Sequence, residues 1–131
     1  MGLEISMNKI REGAFKISLT GTLDTQTYDK FEQSANAILP QAIAIIVDLS
    51  GLTYVSSMGL RALAKISKNM KENNNSFVLV NPQPQVKLVF DVTNIFSDSL
   101  LASLDQADEL LDSFLDKVQK GEIKPRLPKS L

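Results

Sequence analysis

The amino-acid sequence predicts a single α/β domain: a mixed sheet with helices packed mainly on one face, in the order β-β-α-β-α-β-α-β-α. Three observations carry this. Residues 3–10 and 14–19 alternate apolar and polar on either side of Arg11-Glu12-Gly13, the pattern of a hairpin. The run Ala42-Ile43-Ala44-Ile45-Ile46-Val47 is continuously apolar and rich in β-branched residues, as in a strand covered on both faces. From there on, helical spacing alternates with short apolar runs, which is how a sheet with crossover helices reads.

Taken in order, Leu3, Ile5 and Met7 form one face of the first strand, and Gly13 supplies the turn into the second. Gly21 ends that strand, and Asp24 or Thr25 is the expected cap of a helix with Tyr28, Phe31, Ala35 and Ile38 on its face, stopped by Pro40. The buried strand follows and is expected to close at Asp48, with Asp48-Leu49-Ser50-Gly51 as a break and Leu52–Val55 as a second extended piece. Leu60, Leu63, Ala64, Ile66 and Met70 then recur at helical spacing, leaving Arg61, Lys65, Lys68 and Lys71 for the wet side.

Asn73-Asn74-Asn75 breaks this helix before the strand Ser76–Val80. Asn81-Pro82-Gln83-Pro84 opens a third helix with Val86, Val89 and Phe90 on its inner face. That helix ends at Thr93-Asn94, where asparagine suits a left-handed cap. Leu100-Leu101-Ala102 is a short edge strand. Ser103 with Gln106 reads as a capping box before a last helix with Leu104, Ala107, Leu111, Phe114, Leu115 and Val118 on one side. The domain is expected over residues 1–120, with 121–131 as a flexible tail.

Composition narrows the function. Of 131 residues, 14 are basic and 15 acidic, a net charge of −1, so there is no electrostatic case for nucleic acid. No run approaches the ~18 apolar residues of a membrane span, and the first residues lack a signal-peptide pattern. A cytoplasmic protein without membrane attachment is expected. Cysteine and histidine are absent, which removes thiolate chemistry, the usual zinc ligand sets and histidine-based triads. No phosphate-cradling glycine motif occurs, and no cofactor or metal is expected.

Two places remain where chemistry could sit. Asp24 and Asp48 could act as an acid–base pair, although each also has a local job at a helix start or a strand end. Ser56-Ser57 stands at the start of a helix, before Met58-Gly59. A serine there ordinarily caps, its hydroxyl accepting from a backbone N–H two or three residues on. A helix N-terminus also favours a phosphate, because free N–H groups and the macrodipole stabilise its charge. The basic row Arg61, Lys65, Lys68 and Lys71 is a solvated face or, in part, a surface that speeds association with an acidic partner.

With these residues in view, Val47-Asp48-Leu49-Ser50-Gly51-Leu52 followed by Tyr54-Val55-Ser56-Ser57-Met58-Gly59-Leu60 resembles the signature of STAS domains, and specifically of bacterial anti-sigma factor antagonists. Gly21-Thr22-Leu23-Asp24 resembles the Gly-x-Leu-Asp loop of the same family, and the likeness extends over about residues 3–119. Aligned on Gly59-Leu60, Ser56 stands at the family's aspartate, Ser57 at its phosphoacceptor and Met58 at its second serine or threonine.

The resemblance implies a non-enzymatic binding module phosphorylated at Ser57, with Ser56 as the alternative. It implies a partner surface of Gly21, Thr22, Leu23, Asp24, Ser56, Ser57, Met58, Gly59 and Arg61, with Asp24 and Asp48 near the phosphate. The implied partners are an anti-sigma factor serine kinase and a serine phosphatase of the PP2C type. The other reading is a constitutive STAS scaffold in a larger complex, with Ser57 serving only as a helix cap.

Overall fold

A computed structural model describes residues 2–129 and Leu131. Five strands form one sheet in the order β1-β2-β3-β4-β5: β1 Leu3–Arg11, β2 Ala14–Leu23, β3 Ala44–Val55, β4 Ser76–Val80 and β5 Leu100–Leu101. β1 is antiparallel to β2, and all later neighbours are parallel. Gly13 turns the hairpin with φ +79°, a backbone conformation that costs glycine little. The four helices are α1 Tyr28–Ile38, α2 Ser57–Glu72, α3 Pro84–Thr93 and α4 Leu104–Gln119.

The expected fold class holds. The main core joins one face of the sheet to α1, α2 and α3 through Phe31, Ala35, Leu63, Ile66, Val86 and Phe90 against Ile17, Ile45, Val47, Phe77 and Leu79. α4 alone covers the other face, placing Ala107, Leu111 and Phe114 on Ala44, Ile46, Val78 and Val80. That is why β3 and β4 read as unbroken apolar runs: helices cover them on both sides. No helix among the described residues is long and apolar enough to cross a membrane.

Several local expectations need correction. Pro40 does not end α1 outright, because a short 3₁₀ turn Leu39–Gln41 carries the proline before β3 begins at Ala44. Neither Asp24 nor Thr25 caps α1; the capping position is Thr27, whose hydroxyl turns back to donate to the Thr22 carbonyl at 2.8 Å. Ser103 does cap α4, accepting from Gln106 N–H at 3.3 Å, and the Gln106 side chain accepts from Ala102 N–H at 3.0 Å. Asn94 closes α3 in the left-handed conformation with φ 55°, as its type suggests.

The largest difference is in β3, which runs unbroken for 12 residues through Asp48–Gly51. Register slips in the β2–β3 ladder explain this: Ser18 pairs with Asp48 but Thr20 with Gly51, and Gly21 pairs with Leu52 but Thr22 with Tyr54. Each slip is a bulge that adds a residue on β3 without ending the strand. At the first, the Asp48 carboxylate accepts from Ser50 N–H at 3.0 Å. β4 ends opposite Asp48, so the rest of β3 projects beyond it with β2 as its strand partner.

The segment expected as a flexible tail lies against the domain. After Gly121, it runs past the C-terminal end of α2, with Arg126 N–H donating to the Asn73 carbonyl at 2.8 Å and Pro128 buried.

Candidate functional site

The projecting ends of β2 and β3 and the start of α2 form one rim. Leu23 pairs with Val55, and Ser56 N–H donates to the Leu23 carbonyl at 2.9 Å, so the strand end passes directly into α2 beside Asp24. Gly59 makes the close approach possible. A Cβ there would overlap the Leu23 carbonyl oxygen and stand 2.9 Å from Leu23 Cγ. Gly21, with φ +110°, performs a similar task against the Gly2 backbone, and Thr22 N–H donates to the Gly2 carbonyl at 3.1 Å.

The two serines have separate jobs. Ser56 is the capping residue of α2, in an extended conformation, and its Oγ accepts from Gly59 N–H at 3.2 Å. Ser57 is the first helical residue and is exposed. The reading of Ser57 as the cap is therefore corrected: the cap is one residue earlier, and the Ser57 hydroxyl is left at the surface on the positive end of a 16-residue helix. Met58 is half-buried, so it lies partly against the rim without covering Ser57.

Asp24 is held close to this pair by a tight turn. Its carboxylate accepts from Gln26 N–H at 2.9 Å and from the Thr27 hydroxyl at 3.2 Å. The Gln26 bond is the main cause that holds the Asp24 pKa below its ordinary 3.8; burial pulls the other way, and Thr27 adds to the lowering. Asp24 is thus a fixed anion at neutral pH. Thr22 and Leu23 are buried beneath it and contribute mainly their backbone to the rim.

Asp48 does not join them. It lies seven residues before Val55 on the same strand, a separation on the order of 20 Å at about 3.3 Å per residue. Its carboxylate serves the bulge at Ser50 instead, so it is neither near Ser57 nor placed to pair with Asp24 as acid and base.

The basic row of α2 divides in two. Lys65 pairs with Glu32 at 3.1 Å, Lys68 with Glu72 at 3.8 Å and Lys71 with Asp98 at 3.0 Å, a neutralised solvated face. Arg61 is exposed one turn after Ser57 and makes no ion pair among the described residues. Tyr54 was not legible as part of the rim. Strict alternation would bury it with Leu52, but the second bulge inverts the faces, so Val55 turns inward and Tyr54 is 54% exposed. The only advance signal was the spacing of Val47, Leu49, Leu52 and Val55, whose steps lengthen from two residues to three.

The comparisons agree with this architecture. The STAS domain family matches residues 6–107. A protein of Bordetella bronchiseptica named putative anti-sigma factor antagonist BtrV is 26% identical over 96 residues, covering 72% of this chain and 82% of that one. SpoIIAA, named as an anti-sigma factor antagonist, superposes in its unphosphorylated form with a TM-score of 0.74 at 17% identity, over 84% of this chain and 97% of the other. The phosphorylated form of the Bacillus protein gives 0.68 at 16% identity, over 82% and 99%. The murine solute carrier 26 family member A9 anion transporter contains a similar fold, with a TM-score of 0.68 at 23% identity over 80% of this chain and 18% of its own. With the family match spanning residues 6–107, most of its length, and the fold shared with the SpoIIAA structures, this chain belongs to the STAS domain family.

Proposed function

We propose that this protein is an anti-sigma factor antagonist: a binding module that engages an anti-sigma factor serine kinase and is released by phosphorylation of Ser57. The single observation that carries the reading is the division of labour at the start of α2. Ser56 caps, and the Ser57 hydroxyl stands exposed at the helix N-terminus, next to Asp24 and the projecting strand ends. The name of the Bordetella relative and the phosphorylated form of SpoIIAA support the same class of function.

The mechanism is electrostatic. Unmodified, the rim of Gly21–Asp24, Ser56–Gly59 and Arg61 docks on the kinase and displaces the sigma factor. A phosphate on Ser57 brings about −1.5 to −2 charges into that contact. Within the isolated domain the helix N-terminus and Arg61 stabilise this charge. In the complex it must be desolvated beside Asp24, and every ~1.4 kcal/mol of that cost weakens binding tenfold. A serine phosphatase of the PP2C type resets the state. The nucleotide belongs to the kinase, and the exchange takes place in the cytoplasm.

Intact-mass and phosphopeptide measurement on protein isolated from its own cells tests the site. A species heavier by one phosphate on Ser57 supports the switch. Phosphate on Ser56 would move the acceptor to the capping residue. Its absence under several growth conditions would favour a constitutive scaffold. The transporter's use of this fold as a small part of a larger chain is the observation on that side.

A further inference from the structure

The far end of α2 carries a second, unrelated feature. Asn73-Asn74-Asn75, which ends the helix, bonds to the last residues of the chain. Asn74 Nδ2 donates to the Lys124 carbonyl at 3.2 Å. The Asn73 carbonyl accepts from Arg126 N–H at 2.8 Å, and Asn75 Nδ2 donates to the Arg126 carbonyl at 2.8 Å. Asn69 Nδ2, one turn back, donates to the Lys129 carbonyl at 3.1 Å, and the Arg126 guanidinium donates to the Glu72 carbonyl. On α1, Asn36 Oδ1 accepts from Leu131 N–H at 2.7 Å.

These bonds reach almost entirely to main-chain atoms of the segment, the way an extended peptide is held by a sheet edge or a binding groove. Both backbone groups of Arg126 are engaged. Asn75 is the strongest sign of a built site. It is only 7% exposed, and its other oxygen acceptor, the Ala42 carbonyl, lies at 3.5 Å, the limit of a hydrogen bond. Without the Arg126 carbonyl, this buried amide would lose its one good acceptor, which is costly.

We propose that the asparagine row at the C-terminal end of α2 is a binding groove for extended peptides, and that the segment 124–129 is its tethered ligand. The ligand class follows from the contacts and burial: a stretch outside helix and strand, with arginine at one position and a buried proline two residues later, as Arg126 and Pro128 are here. Because α2 is 16 residues long, the groove is about 24 Å from Ser57, at 1.5 Å per residue. Filling it therefore leaves the phosphorylation rim open. Tethering gives the segment an effective concentration near the millimolar range, so a free peptide competes only when the tether's own grip is weakened.

The test uses the full chain and a fluorescent peptide of sequence 122–131. Arg126→Ala removes the exposed guanidinium contact without touching the core, so the tethered segment loosens and the labelled peptide, with its arginine intact, should bind this variant about tenfold more tightly than the unaltered chain. Adding Asn69→Ala, at a half-exposed helix position that alanine favours, should weaken that binding several-fold without threatening folding. Hydrogen exchange of the Arg126 and Leu131 amides in the unaltered chain should be protected, and faster in Arg126→Ala. The proposal is overturned if those amides exchange in the unaltered chain at the rate of the free peptide. Peptide binding that is equal in all three chains would overturn it as well.

Discussion

The two ends of α2 are built on opposite plans. At the N-terminal end, one side chain, Ser56, satisfies Gly59 N–H, and the chain packs by backbone approach, with Gly59 against Leu23. No hydrogen bond within the described residues engages the N–H groups of Ser57 or Met58. At the C-terminal end, Asn69, Asn73, Asn74 and Asn75 and the last residues of the chain form a dense mutual network. An end with unused donors and an exposed hydroxyl suits a charge that comes and goes. A densely cross-bonded end suits permanence. One helix thus separates the proposed switching surface from an anchored one.

The contrast can be broken most severely at Gly59. In Gly59→Ala the new Cβ meets the Leu23 carbonyl, which is backbone and cannot rotate away. Roughly 3 kcal/mol of stability should be lost, read as a lower urea midpoint at unchanged slope. A loss below about 0.5 kcal/mol, the level of an ordinary surface change, would mean that the close approach at the rim is not required.

At the cross-bonded end, Asn75→Ala removes a buried amide from the Arg126 carbonyl and should cost about 2 kcal/mol. Protection of the Arg126 amide should fall with it. If stability falls but that protection is unchanged, the asparagine is a core residue and the comparison between the two ends loses half its basis.

Ser56→Ala is smaller, about 1 kcal/mol, because one capping bond is removed from an end that otherwise packs through backbone. Calorimetric melting of the purified variant measures it, and a neutral result would show that Gly59 N–H is served equally well by water.

Asp24 sharpens the comparison through pH. Gln26 N–H, and secondarily Thr27, stabilise its ionised form against the opposing effect of burial, so its folded pKa lies below the ordinary 3.8. A carboxylate so depressed contributes stability in full above the ordinary value and loses it as pH falls through the folded pKa. The stability gap between the natural chain and Asp24→Ala should be widest at neutral pH and narrow below pH ~3.8. Urea midpoints of both chains across this range decide it; a gap that does not change with pH would mean that only the shape of the turn matters.

How far the sequence reveals this depends on the kind of interaction involved. The hairpin, the doubly covered strands and the four amphipathic helices follow from periodicity, because burying an apolar face is written locally at every second or every third to fourth residue. The asparagine that closes α3 and the serine that opens α4 were legible from residue type alone. What was not legible depends on pairing between distant segments. The bulges that carry β3 through Asp48–Gly51 exist only in register with β2, and they decide that Tyr54 is outside and Asp48 far from Ser57. The asparagine run read as a breaker because its partners are some 50 residues later in the chain. The rim was found from a motif, and its residues do gather, apart from Asp48; which serine caps was settled only by helix phase.

That phase leads to the smallest expected change in stability and the largest expected change in regulation. Ser57 sits one position inside the helix, exposed, with its hydroxyl outside the described hydrogen-bond network, so Ser57→Ala should alter stability by no more than about 0.5 kcal/mol. Alanine is even the better helix former there. The same substitution removes the proposed phosphoacceptor. In a reaction with the cognate kinase and nucleotide, the variant should stay unmodified and remain bound where the natural chain is released. Ser56→Ala should reverse the pattern: less stable, yet still phosphorylated at its neighbour. A single chain in which stability and phosphorylation failed together would mean that capping and switching share one hydroxyl, and the division of labour between the two serines would fall.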